Sequence, residues 1–213
     1  MPEIQVSEKL ILFLKFIPIF LISITVHEFA HAFSAKKFGD TTAEQQGRYT
    51  LNPIKHIDPI GSLLLPFLSF FSGAFLIGWA KPVPVNPSNF RNPLKHNAIV
   101  SFAGPLSNFL LAIIFFSVSL LFLDGQPKLS NIFYYGTVFN IFLFCFNLLP
   151  IPPLDGSHIL FSIFPNKFTA QWMNFGLYGS IILLFFIFSP LWKYFLLLIN
   201  SILNLFLIIA GIK

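Results

Sequence analysis

Charge is scarce in this chain. Only 10% of its 213 residues are Asp, Glu, Lys or Arg, against roughly 25% in an ordinary soluble domain. That excludes a soluble globular protein. Cysteine is nearly absent too: Cys145 is the single one, so no intrachain disulfide can form. It lies in an apolar run and reads as a small inert hydrophobe. There is no internal repeat, no low-complexity linker and no stretch that reads as an appended soluble domain. Acidic residues are rarer still towards the end, where Asp155 is the only one between Asp124 and the C-terminus. The few basic residues do not cluster as a nucleic-acid patch would, so no nucleic-acid partner is expected.

What fills the chain instead is hydrophobic: 55% of residues, with 30 phenylalanines. Crossing the hydrocarbon of a bilayer takes about 20 apolar residues in a helix. Runs of that kind occur at 10–34, 60–78, 97–123, 131–150, 172–189 and 191–211. The last two are separated at Ser189-Pro190, beside Trp192, Lys193 and Tyr194, which suit an interfacial belt; one long kinked element is the alternative. Lys9 and Lys15 are the only basic residues before or early in the first run, and no small-residue cleavage site follows, so it reads as a retained helix and not a signal peptide. The expectation is an all-α polytopic membrane protein, with about five to six transmembrane helices. Residues 1–213 form one domain, with a core at about 10–165 and a helical hairpin at about 170–211.

Two loops rich in Pro and Asn, 39–59 and 79–95, cannot be regular helix. Arg48 to Leu51 and Pro82 to Val85 are candidates for short extended strands. Irregular backbone at membrane depth is tolerated where protein or a water-filled cavity covers it, so these loops are candidates to line a site.

The first apolar run contains Val26-His27-Glu28-Phe29-Ala30-His31. This is H-E-x-x-H, and residues four apart share a helical face, so His27 and His31 can grip one metal ion. Glu28 stands beside that ion, where it could take a proton from water. Ionisable residues inside an apolar span are costly and mark function by default; the alternative is that helix-helix hydrogen bonds satisfy them. A catalytic zinc takes three protein ligands. The 131–150 run ends in Asn147-Leu148-Leu149-Pro150-Ile151-Pro152-Pro153-Leu154-Asp155-Gly156, and Asp155 offers a carboxylate. Alone it reads as a helix N-cap; beside the helical motif it reads as a ligand. His158 is a candidate to support Asp155, while His56 and His96 read as loop residues without a role.

HEFAH together with NLLPIPPLDG resembles the site-2 protease family of intramembrane metalloproteases, recognised by H-E-x-x-H in one span and N-x-x-P-x-x-x-L-D-G in a later one. Gly104-Pro105-Leu106-Ser107-Asn108 resembles the family's G-P-x-x-N segment. The likeness covers about residues 20–165. It implies one Zn2+ per chain held by His27, His31 and Asp155, with Glu28 as general base. Asn147 would hold substrate or stabilise an oxyanion; an interhelical hydrogen bond is its alternative. The substrates implied are transmembrane proteins, cut in or near their spans. The chain resembles the minimal members, without PDZ or CBS domains, and reads as lacking a span before the H-E-x-x-H helix.

Topology constrains the 60–78 run. His31 and Asp155 must reach one ion, so an even number of crossings separates them. Residues 97–123 and 131–150 supply two, so 60–78 is expected to dip in and return, or to lie against the bundle. With the N-terminus outside, Lys36, Lys37, Arg48, Lys55, Lys81, Arg91, Lys95 and Lys167 fall in the cytoplasm, as the positive-inside rule asks. The site then opens to the cytosol of a bacterial or archaeal cell membrane. A zinc transporter or channel is the second reading, but it has no need of Glu28 beside His27, and internal symmetry is not visible. An inactive scaffold is a third, with nothing in its favour. Substrate identity and oligomeric state leave no mark on the sequence.

Overall fold

A computed structural model describes residues 6–72 and 78–212. Among them the chain is helical with no strand. Helix α1 (Val6–Lys37) ends on Lys36 and Lys37, whose charge suits the negative end of a helix dipole. A one-turn helix α2 (Thr42–Gln45) follows, then a 3-10 turn at Pro53–Lys55. A π-helical turn at Pro59–Leu64 leads directly into α3 (Leu65–Ser72). Helix α4 (Pro93–Leu121) starts at Asn92, whose side chain accepts from the Lys95 amide, with Pro93 in the first turn where its missing N–H costs nothing. Helix α5 (Pro127–Asn147) also opens on proline. Helices α6 (Asp155–Ile163), α7 (Lys167–Met173), α8 (Gly176–Phe188) and α9 (Leu191–Ile209) complete the chain.

Among the described residues, four helices are long and apolar enough to cross a membrane: Phe13–Lys37, Pro93–Leu121, Pro127–Asn147 and Leu191–Ile209. A fifth span results if α7 and the helix after it, bent by 88°, are taken together. The expected 172–189 helix is therefore not one element: it breaks at Asn174-Phe175. The outward faces stay apolar, with Leu121, Phe185, Phe188 and Ile208 all exposed, which fits a lipid solvent and no aqueous one.

Helix α4 is the central post, packed against α1, α5 and α6. Its GPLSN segment thereby faces the H-E-x-x-H turn of α1. Between α5 and α9 lies the largest apolar cluster, including Ile141, Cys145, Phe195, Ile199 and Leu203.

The 60–78 run does return. The Trp79 amide donates to Gly61 O at 2.9 Å, and Ser62 Oγ donates to Trp79 O at 2.7 Å. A segment whose two ends touch cannot leave them on opposite sides of a layer about 30 Å thick. Residues 73–77 lie outside the described residues. The short strands expected at 48–51 and 82–85 are absent. Pro82 and Pro84 lack N–H donors, and the remaining groups of this loop bond to helices and turns instead of to a partner strand.

Candidate metal centre

Three side chains from two distant stretches converge. His27 Nε2 lies 3.2 Å from Asp155 Oδ2, His31 Nε2 lies 3.3 Å from Asp155 Oδ1, and the two Nε2 atoms are 3.1 Å apart. All three residues could serve one ion. Ligands about 2 Å from a common tetrahedral ion sit roughly 3.3 Å from one another, so the spacing suits zinc.

The hydrogen bonds behind the two imidazoles fix which of their atoms face the centre. His27 Nδ1 is 2.6 Å from Asn108 Oδ1, and His31 Nδ1 is 2.7 Å from Val100 O. A backbone carbonyl only accepts, so His31 Nδ1 carries its proton. Asn108 is oriented by its amide, which donates to Ser23 O at 3.2 Å and to Asn140 Oδ1 at 2.9 Å; its Oδ1 is therefore the atom turned to His27, and His27 Nδ1 donates as well. In the neutral imidazoles both Nε2 atoms then present lone pairs. Asp155 Oδ2, though close to His27, is buried with no hydrogen-bond donor. One proton can serve only one of these pairs; one cation serves all three groups.

Glycine makes the room. A Cβ on Gly104 would lie 2.5 Å from His31 Cε1 and 2.7 Å from His27 Nε2, and would run into His31 Nε2. The cradle exists because this position on α4 has no side chain.

Asp155 is the first residue of α6, not its cap. The cap position is Leu154, with no side-chain hydrogen bond there. The carboxylate points instead at the two imidazoles. The preceding turn is fixed from outside: Trp172 Nε1 donates to Pro150 O at 2.8 Å, and a Cβ on Gly179 would strike Pro152 O.

Glu28 is buried, and its Oε2 accepts the Val83 amide at 2.6 Å. The loop that follows the returning segment thus reaches the H-E-x-x-H turn directly. Asn147 is at the end of α5, where its amide donates to Leu143 O at 3.0 Å; this engages the group with its own helix and not with the centre. His158 makes no hydrogen bond to the ligands. Burial pushes its pKa below the usual histidine value, against an opposite pull from Asp155. His56, read as a bland loop residue, is fully buried and bonded through Nε2 to Thr50 O at 2.8 Å. His96 stacks on Phe38 with ring centroids 4.2 Å apart.

Sequence reasoning missed Ser23 and Asn140. Both are fully buried, and Asn140 donates to Ser23 Oγ at 2.8 Å and to Gly136 O at 2.9 Å. Polar residues inside apolar runs were the available signal. It could not say which partners they would find.

The model of peptidase family M50 matches residues 15–128 and 124–187. The chain belongs to that family. It is a membrane zinc metalloprotease, as the two motifs implied. Among curated relatives, the "Putative zinc metalloprotease YwhC" of Bacillus subtilis is 42% identical over 184 residues, covering 83% of this chain and 81% of that one. The "Putative zinc metalloprotease Rip2" of Mycolicibacterium smegmatis is 38% identical over 140 residues, 64% of this chain and 52% of its own. The "Zinc metalloprotease MJ0392" of Methanocaldococcus jannaschii is 28% identical over 150 residues, 69% of this chain and 33% of its own. No solved structure gives a significant match.

Proposed function

We propose that this M50 peptidase hydrolyses peptide bonds in or near the transmembrane segments of membrane proteins. The observation that carries this reading is the convergence of His27, His31 and Asp155 within 4.8 Å of one another inside a bundle of apolar helices. Zinc held there supplies Lewis acidity toward a carbonyl oxygen and toward water. The chain's own residues do the rest. Glu28 Oε2 is occupied by the Val83 amide, which leaves Oε1 to take a proton from the attacking water and to return it to the leaving nitrogen. Asn147 serves by turning its amide from Leu143 O to a substrate carbonyl, a donor worth several kcal/mol in a dry site. Its present bond is a single neutral one of about 1 kcal/mol, so release is inexpensive.

The site opens toward the cytosol of a bacterial or archaeal cell membrane in this reading. The basic residues of the loops, Lys36, Lys37, Arg48, Lys55, Lys81, Arg91 and Lys95 among them, support that side by the positive-inside rule, and the return of the chain at Gly61 and Trp79 supports two crossings between His31 and Asp155, which puts both on the same side. Residues 10–165 form the catalytic core and 170–211 a supporting hairpin.

The test compares wild type with Glu28→Gln on single-span model substrates in detergent, with zinc per chain measured in both. Cleavage inside the span by wild type, lost in a variant that keeps its zinc, is expected. Cleavage that survives Glu28→Gln removes Glu28 from the mechanism. A wild type that binds zinc, cuts nothing and carries zinc across liposomes makes the chain a transporter.

A further inference from the structure

Arg48 is an unexpected residue to find buried. Its side chain is 6% exposed, and its Nε–H has no hydrogen-bond partner. Gly47, at φ 65°, turns the chain after α2 so that the Arg48 amide closes on Ala43 O at 2.8 Å and the side chain runs inward. There Arg48 Nη2 donates to Lys81 O at 2.5 Å. The Lys81 amide is held as well, by His56 O at 3.0 Å. Two residues on, Val83 donates its amide to Glu28, and its side chain packs with Ala32, Ala43 and Tyr49.

We propose that Arg48 is a positioning residue of the active site: by clamping the Lys81 carbonyl it holds the Val83 amide on Glu28, and so fixes the carboxylate against the metal centre. The proposal rests on the reading of Glu28 as the base. Three points favour it over simple loop anchoring. Holding one carbonyl needs no charge, and a neutral donor would do it with less desolvation. The charge that Arg48 carries does act on Glu28, whose carboxylate partly offsets the lowering of the arginine's pKa by burial. And the link is short: Lys81 and Val83 are separated only by Pro82, whose ring fixes φ, so a displacement at the carbonyl passes to the amide.

The experiment uses the full chain with zinc bound and has two arms. One measures kcat and KM on a cleaved model substrate. The other measures hydrogen exchange of the amides in 79–85, which are those of Trp79, Ala80, Lys81, Val83 and Val85. In Arg48→Ala the exchange of this segment rises about tenfold, while α1 and α4 stay protected. In the same variant kcat falls about tenfold or more with KM and zinc content little changed, since a misplaced base costs the chemical step and not binding. Arg48→Lys, which keeps a donor for Lys81 O, recovers part of both. Should Arg48→Ala lose zinc and helical protection together, Arg48→Lys and Arg48→Gln are compared instead. Wild-type exchange in 79–85 overturns the clamp. Faster exchange with wild-type kcat overturns the link to Glu28, and lost kcat with wild-type exchange shows that Arg48 acts directly on substrate. A wild type that cuts no substrate defeats the proteolytic reading, and the exchange arm still judges the clamp.

Discussion

Asn108 Oδ1 sits 2.6 Å from His27 Nδ1, and the same amide ties α1 to α5 through Ser23 O and Asn140 Oδ1. One side chain therefore sets the tautomer of His27, a proposed metal ligand, and anchors the helix that carries it. Removing such a partner typically costs 10–100-fold in metal affinity. Asn108→Leu also strands the His27 N–H and one Asn140 oxygen, at about 1–3 kcal/mol each. The expected outcome is a zinc affinity lower by about 10–100-fold, read by competition with a chromophoric chelator. Asn108→Asp, which keeps an acceptor for His27, should lose less; equal affinity in Asn108→Leu and wild type would remove Asn108 from the support of the ligand.

Gly104 is the second handle on the site. Because a Cβ there collides with both imidazoles, Gly104→Ala should displace His27 and His31 while leaving α4 helical; alanine is in fact about 1 kcal/mol better than glycine in a helix interior. Zinc per chain should drop sharply with unchanged far-ultraviolet circular dichroism. A variant that holds a full complement of zinc would mean that α1 and α4 can part at no cost, against the close approach of Gly104 to both imidazoles.

Asp40 gives a pH prediction away from the metal. It is 1% exposed and accepts from the Thr42 amide and hydroxyl, the Asn86 amide at 2.7 Å and Asn89 Nδ2 at 2.8 Å. Burial raises its pKa, the four hydrogen bonds lower it, and the net direction is below the ordinary carboxylate value. The folded state thus binds its proton less readily than the unfolded chain. The resulting stability is complete above about pH 4, the unfolded value, and is lost as pH falls through the lower folded one. Asp40→Asn replaces an acceptor facing Asn86 with a donor and should cost about 2 kcal/mol or more at neutral pH. The gap in thermal midpoint between wild type and variant, measured in detergent, should close as pH drops below about 4. A gap independent of pH would show that the charge plays no part in holding the 86–89 turn.

These residues also mark where reading the sequence stopped. Composition and run length determined that the chain lives in a membrane and is helical, because no soluble fold tolerates so little charge and each span must close its backbone bonds within itself. H-E-x-x-H placed two imidazoles on one face by helical period alone. The need for His31 and Asp155 to reach one ion argued against a full crossing by the 60–78 run, and the contact of Trp79 with Gly61 brings the two ends of that run together. What the sequence left open were choices between local and distant partners. Asp155 could cap its helix or face the imidazoles, and only the packing of α6 on α4 decides for the latter. Asn140 and Ser23 are unremarkable polar residues until three helices meet. Val83, distant in sequence from Glu28, reaches it, and Arg48 holds the neighbouring Lys81 carbonyl, because a loop without strand partners folds back over the H-E-x-x-H turn. Period and composition act within one element, whereas the groups that orient His27, His31 and Glu28 come from others, and only tertiary structure brings those together.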